Sequence, residues 1–144
     1  MKAKAVCLIL LPALCWTSTA AFAAGSSAGY GNGGPSSRFD PIVQQYNQTG
    51  ELFRVQGRCQ SACTLFLGIR NVCIERSATL LFHAGHAMNT QKILPWATEH
   101  MLNAYNARLR DYVVSHGYME TIAFHPISGR DMIQKFGYRE CPGR

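Results

Sequence analysis

Acidic side chains are scarce in this chain: 8 Asp and Glu stand against 14 Lys and Arg in 144 residues, and charged residues make up only 15%. With 47% hydrophobic residues, those totals exclude an intrinsically disordered, collagenous or coiled-coil chain, and the length allows at most one ordinary domain. A membrane-length hydrophobic run is missing as well. The apolar stretch 5–16 is short and is broken by Thr17, Ser18 and Thr19. No second cysteine pair and no His-x3-His follows Cys59-x3-Cys63, which argues against structural zinc. Nor is there a dinucleotide or P-loop glycine pattern, because Gly31-x-Gly33-Gly34 has no strand before it. Neither a metal nor a cofactor is expected.

What is present begins with a segment of distinct composition. Lys2 and Lys4, the apolar stretch, and Ala21-Phe22-Ala23 before Ala24 form the three-part layout of a cleavable secretory signal peptide over residues 1–23. Leu14 stands before Cys15 where a lipobox needs a small residue, so lipidation is not expected. Cleavage leaves 12 basic and 8 acidic residues, a net charge of +4. That is mildly basic and no footprint of nucleic-acid binding. The membrane is then met only in transit, and the expected location is periplasmic or secreted. Cys7 and Cys15 leave with the signal, while Cys59, Cys63, Cys73 and Cys141 remain. An even number in a small exported domain reads as two disulfides, with all three pairings open. A mature chain of about 120 residues buries roughly two-thirds of its unfolded surface, so such staples have a use.

Residues 24–36 are small, flexible and almost uncharged, and most of this Gly/Ser-rich segment reads as a tether ahead of a single domain over 37–144, with its last part open to a role in the site described below. Phe39, Ile42, Val43 and Tyr46 fall at helical spacing, with Ser37 as N-cap and Gly50 as stop. Leu52, Phe53 and Val55 predict a short strand ending at Gly57, and 61–67 a buried helix ended by Gly68. Two more short strands are expected at 72–74 and 79–82, separated by the turn-like Glu75-Arg76-Ser77. Pro95 opens a long helix reaching His116 and stopping at Gly117, with Met101, Tyr105, Leu109, Tyr112 and Val113 along one stripe. A last helix spans 128–136 before Gly137. Early strands with helices between and after them predict an α/β domain without internal repeats.

The stretch Gly57-Arg58-Cys59-Gln60-Ser61-Ala62-Cys63-Thr64-Leu65-Phe66 carries the main site candidate. A strand entering a tight turn, with Ser61 at the start of an apolar helix, suits a nucleophile near free N–H groups. The plainer alternative is that Ser61 merely caps that helix. The hydrophobic strand Leu80-Leu81-Phe82 delivers His83 at its end, where a general base can meet a neighbouring strand's nucleophile. A satisfied core histidine is the rival there. Asn47-Gln48-Thr49 fits a glycosylation sequon but reads as a frayed helix end. His86, His100 and His116 are expected at the surface or in a groove, Trp96 and the tyrosine stripe in the core, and Arg70 as a cap for the carbonyls of the helix ended by Gly68.

The run Cys59-Gln60-Ser61-Ala62-Cys63-Thr64-Leu65, then Arg70-Asn71-Val72-Cys73, then Ala78-Thr79-Leu80-Leu81-Phe82-His83, resembles small exported bacterial relatives of the Clp protease proteolytic subunit, within the Clp/crotonase superfamily. Gly33-Gly34, 28 residues before Ser61, matches the superfamily's loop ahead of the nucleophile. Over residues 32–141 the resemblance implies a shortened Clp/crotonase-like domain with Ser61 as nucleophile, His83 as general base and the N–H groups of Gly34 and Ala62 as oxyanion hole. It also implies the bridges Cys59–Cys63 and Cys73–Cys141, because paired cysteines recur in the resembling motif. The family's third member, an acid, falls near Phe124-His125-Pro126, where no carboxylate stands; Asp131 and Glu120 are the nearest acids, so the triad is incomplete. Two functions are therefore expected to compete: a serine hydrolase or peptidase, and a non-catalytic, disulfide-stapled binding or assembly module. The superfamily's rings and trimers leave a homo-oligomer open, with a hydrophobic sheet face exposed by the shortened domain as the alternative, and neither substrate nor protein partner is named by the sequence.

Overall fold

The computed structural model describes residues 25–143, so the signal-peptide expectation for 1–23 lies outside the described residues. The chain enters as strand β1 (Gly25–Ser26), makes a 3-10 turn (Ser36–Arg38) and continues into helix α1 (Asp40–Thr49). Strands β2 (Phe53–Val55) and β3 (Arg58–Gln60) follow, and β3 runs directly into a second 3-10 helix, Ser61–Gly68. Next come β4 (Val72–Ile74), β5 (Thr79–Phe82), α2 (Pro95–Asn103), α3 (Ala107–Ser115), β6 (His125–Ser128) and α4 (Gly129–Gln134). The fold is mixed α/β, as expected.

The strands form two three-stranded sheets, ordered β1-β2-β4 and β3-β5-β6. β1 and β4 both lie parallel to β2, with Phe53 opposite Val72 and Val55 opposite Ile74. β3 runs parallel to β5, with Cys59 opposite Leu80, and β6 closes the second sheet antiparallel to β5. The same two chain segments are thus paired in parallel on both sides of two breaks. One break is at Gln56-Gly57, where Gly57 takes φ 61°; the other is the turn in which Ala78 N–H bonds to Glu75 C=O at 2.9 Å. Buried parallel strands read as continuous apolar runs, and Val72-Cys73-Ile74 and Leu80-Leu81-Phe82 are buried throughout.

Five rings tie the helical layer to the first sheet: Tyr30 to Phe66 at 5.5 Å, Phe39 to Phe66 at 5.3 Å, Phe53 to Phe66 at 4.5 Å and Tyr46 to Phe53 at 4.9 Å between centroids. Tyr30 belongs to the segment expected to be a tether, and that expectation is corrected. β1 pairs with β2, and Ser27, only 1% exposed, exchanges two hydrogen bonds with the Gln56 backbone at 2.9 and 3.0 Å. Gly31 C=O accepts from Gln60 N–H at 3.0 Å. The domain therefore starts at or before Gly25 rather than at residue 37. Composition reports side chains, and here the small residues are held by their backbone groups.

Three helix expectations are also corrected. Ser37 lies inside the 3-10 turn, and the N-cap of α1 is Phe39, with Pro41 in the first turn; the stop at Gly50 is left-handed at φ 72°, as expected. The long helix from Pro95 is two helices, because Asn106 caps α3 through a 3.0 Å bond from Leu109 N–H and ties its amide to Phe136 C=O at 2.8 Å. The stripe itself holds: Met101, Tyr105, Leu109 and Val113 are buried across the break. The last helix starts one residue inside its cap Ser128, which accepts from Asp131 N–H at 3.1 Å, and the chain turns at Gly137 with φ 74°.

Both implied disulfides are present. Cys59 and Cys63 are 5.2 Å apart between Cα atoms, and Cys73 and Cys141 are 4.8 Å apart. Their closed loops differ greatly, with sequence separations of 4 and 68. Loop-closure entropy assigns about 2 kcal/mol to the short bridge and about 4 kcal/mol to the long one.

Candidate functional site

The site is built around the junction of β3 with the following 3-10 helix. Ser61 occupies that junction with φ 54°, a left-handed conformation that costs a non-glycine residue about 1–2 kcal/mol. The capping alternative does not hold: the N-cap of this helix is Gln60, no side chain caps it, and Ser61 is its first residue. Thr64 donates to Ser61 C=O at 2.7 Å while sharing a buried hydrogen bond with Tyr105 at 2.7 Å, so the first turn is anchored through its carbonyl rather than through the serine hydroxyl.

The glycine-rich loop lies directly against this junction. Gly33 takes φ 72°, and a Cβ there would stand 2.8 Å from Gln60 C=O and 2.9 Å from Ser61 Cβ. Only glycine meets both conditions. Gln60 holds the loop from its side, its amide donating to Asn32 C=O at 2.8 Å. Gly34 follows at φ 141°, and Gly34 and Ala62 line the same pocket as Ser61. Neither N–H has a protein acceptor among the described residues.

His83 follows β5 and also lines that pocket. It is 2% exposed, and neither ring nitrogen has a hydrogen-bond partner among the described residues, Ser61 included. Its neighbours are rings: Phe124 stands edge-on at 4.9 Å and His86 is tilted at 5.2 Å. Burial, the largest influence, pushes the imidazole below its ordinary 6.5 against an opposing pull from the Ala84 backbone, and the nearby His86 and His125 add to the lowering. Buried polar groups normally carry hydrogen-bond partners, and the ring nitrogens of His83 depart from that pattern.

Among the described residues no acid orients this histidine. Asp131 pairs with Lys135 at 3.2 Å in α4, and Glu120 is exposed in the turn after Gly117. His125 stacks on Tyr118 at 4.3 Å and approaches Thr121 Oγ1 at 3.4 Å. Phe124 instead stands beside His83, with the Arg58 guanidinium 5.9 Å from its ring centre.

The pocket has a volume of about 610 Å³ and two characters. Ser61, His83 and the Gly33-Gly34 loop supply its polar part, while Leu65, Met88, Leu94, Trp96, Met101 and Phe124 supply the apolar part. Trp96 is 66% exposed on this wall, which corrects its expected place in the core. It follows Pro95 at the start of α2, before the core-facing stripe begins, and that position is the signal that sequence reading passed over. His86 and His100 lie in the groove as expected, His100 bonded to Asp40 at 2.9 Å, whereas His116 stacks on Tyr112 at 4.0 Å on α3. Gly85 allows the wall to close: a Cβ there would meet Ala97 at 2.6 Å, and its N–H bonds to Thr98 Oγ1 at 2.9 Å.

Two smaller expectations are corrected by one residue. Asn47 donates to Gly68 C=O at 3.1 Å and accepts from Arg70 N–H at 2.8 Å, so Asn47, not Arg70, caps the carbonyl at that helix end. The sequon asparagine is a structural tie rather than a frayed end. Among the described residues no group of three His, Cys, Asp or Glu is placed to hold a metal ion, and no helix is long and apolar enough to cross a membrane. No protein-family model, curated protein or solved structure matches this chain.

Proposed function

We propose that this protein is an exported serine hydrolase acting on an amide or ester, built on a shortened Clp/crotonase-like domain. The observation that carries this is the pairing, in one pocket, of a left-handed Ser61 that caps nothing with a buried His83 whose ring nitrogens are bare. Ser61 Oγ attacks the carbonyl carbon and His83 takes the hydroxyl proton. The Gly34 and Ala62 N–H groups receive the oxyanion, and His83 returns the proton to the leaving group before water releases the acyl-enzyme. Free catalytic groups commonly stand apart until substrate draws them to hydrogen-bond distance, so the open Ser61–His83 gap suits the unliganded state. The two disulfides suit an oxidising, extracytoplasmic location.

The bare His83 ring also favours a second reading, a disulfide-stapled binding or assembly module of the same fold. In a Ser-His-Asp triad, spoiling the acid's role lowers kcat by about 10⁴, and no acid stands here. The hydrolase reading therefore expects slow turnover but ready acylation. A fluorophosphonate probe on the oxidised protein separates the two. Stoichiometric labelling at pH 7–8 that disappears in Ser61→Ala and falls sharply in His83→Ala supports the hydrolase. A folded protein that does not label is the binding module.

A further inference from the structure

The Ser61 junction is in a conformation that L-residues leave readily; the β3–β5 ladder ends just before it at Gln60 opposite Leu81, and beyond that ladder its hydrogen bonds include Gln60 N–H to Gly31 C=O, the Gln60 amide to Asn32, and Thr64 to Ser61 C=O. No side chain caps the helix that starts there. A strained backbone persists only where its surroundings over-determine it. The one covalent restraint is the Cys59–Cys63 bridge, with one cysteine in β3 two residues before Ser61 and the other in the 3-10 helix two residues after it. Both cysteines are fully buried in the core, whereas Gln60, Ser61 and Ala62 between them line the pocket.

We infer that the Cys59–Cys63 bridge is the positioning element of the Ser61 site, holding the serine backbone left-handed from beneath while leaving its hydroxyl open to the pocket. As a device for Ser61 chemistry it rests on the hydrolase reading; as a restraint on the backbone it does not. Two features make its role local. Its loop is too short to restrict the unfolded chain as the Cys73–Cys141 bridge does, and it closes across a strand-to-helix turn. Full burial also shields its sulfurs from attacking thiolates, so the bridge is a permanent staple rather than a redox switch.

The test compares the oxidised full chain with C59A/C63A and with Val113→Ala, a core truncation on α3 remote from the pocket, at a temperature where circular dichroism shows all three folded. Fluorophosphonate labelling is expected to slow at least tenfold in C59A/C63A and to stay within twofold of the parent in Val113→Ala. Labelling of C59A/C63A within twofold of the parent would overturn the inference and leave the hydrolase reading standing. Backbone chemical shifts and HN–Hα couplings of residues 60–62 give the second readout, independent of activity. Loss of the left-handed signature at Ser61 in C59A/C63A supports the positioning role, and its retention overturns it. If the parent itself does not label, the hydrolase reading falls and these backbone signals alone decide whether the bridge holds the junction. If C59A/C63A does not fold, C59V/C63A, which refills the lost sulfur volume, takes its place in both measurements.

Discussion

At the scale of single residues, the site spends stability where it gathers chemistry. Gly33 cannot be replaced without moving Ser61, because a Cβ would press on Gln60 C=O and Ser61 Cβ while the backbone holds φ 72°. Gly33→Ala is therefore expected to destabilise by about 2–3 kcal/mol, read from urea unfolding. It is also expected to suppress fluorophosphonate labelling beyond what a matched core truncation does; full labelling in the variant would detach the glycine loop from the site. His83 is the opposite case, a buried polar ring without partners. Replacing it by an apolar residue of similar size removes an unsatisfied group, so His83→Leu is expected to be neutral or stabilising at pH 7 while abolishing labelling. The pH dependence follows from the same burial. The folded pKa lies below the 6.5 of the unfolded chain, so the unfolded state binds more protons between the two values. The parent's stability is full above pH 6.5, falls as pH drops below that, and levels off once the folded pKa is passed. Thermal unfolding at pH 7.5 and 5.0 should show a larger acid loss for the parent than for His83→Leu, and equal losses would refute a buried neutral imidazole. Trp96, exposed on the pocket wall, predicts the reverse pattern: Trp96→Ala should leave stability within about 0.5 kcal/mol, checked by the same unfolding curve.

At the scale of elements, the break between α2 and α3 has the clearest local cause. Asn106 accepts from Leu109 N–H at 3.0 Å, donates to Phe136 C=O at 2.8 Å, and its own N–H bonds to Tyr138 Oη at 3.0 Å. Asn106→Ala removes the cap and leaves the Phe136 carbonyl unpaired, an expected loss of about 1–3 kcal/mol in chemical denaturation; a change below 0.5 kcal/mol would mean that the helix break is set elsewhere. The same residue shows where sequence reading stops. The stripe Met101, Tyr105, Leu109, Val113 keeps helical spacing through the break, so periodicity alone joins the two helices. Strands β4 and β5 are legible as apolar runs bounded by turn residues, and β2 as the alternating Phe53-Arg54-Val55 before Gly57. β1 and β6 are not: Gly25-Ser26 has no apolar pattern, and β6 carries Pro126, which demotes a strand on sequence grounds. Both are fixed by backbone partners distant in sequence. In the site, Ser61, His83 and the Gly33-Gly34 loop were legible from turn chemistry and resemblance, and they do line one pocket. The apolar wall was not, because Met88, Leu94 and Trp96 come from a loop and a helix start whose fold depends on Gly85 passing close to Ala97.

At the scale of the whole molecule, the two bridges divide global from local stabilisation. The C-terminal segment runs beside β4: Ile74 N–H bonds to Arg139 C=O at 2.9 Å, Cys141 N–H to Ile74 C=O at 3.0 Å, and Arg76 pairs with Glu140 at 2.5 Å. Cys73–Cys141 fastens that strap to the first sheet and closes a loop that contains β5, all the later helices and β6. Removing it frees about half of the chain in the unfolded state, and loop-closure entropy puts the loss at about 4 kcal/mol, against about 2 kcal/mol for the short bridge. A domain of this size has only about 5–15 kcal/mol to lose. C73A/C141A is therefore expected to lower Tm by roughly 10–20 °C, and C59A/C63A by about half as much. Calorimetry on the two double variants, with free thiols counted in denaturant to confirm that the remaining bridge is closed, checks this order. A larger Tm loss for C59A/C63A would show that the bridge at Ser61 restrains the native core more than loop length allows, and that the strap beside β4 is held by its hydrogen bonds and the Arg76–Glu140 pair without help from its sulfurs.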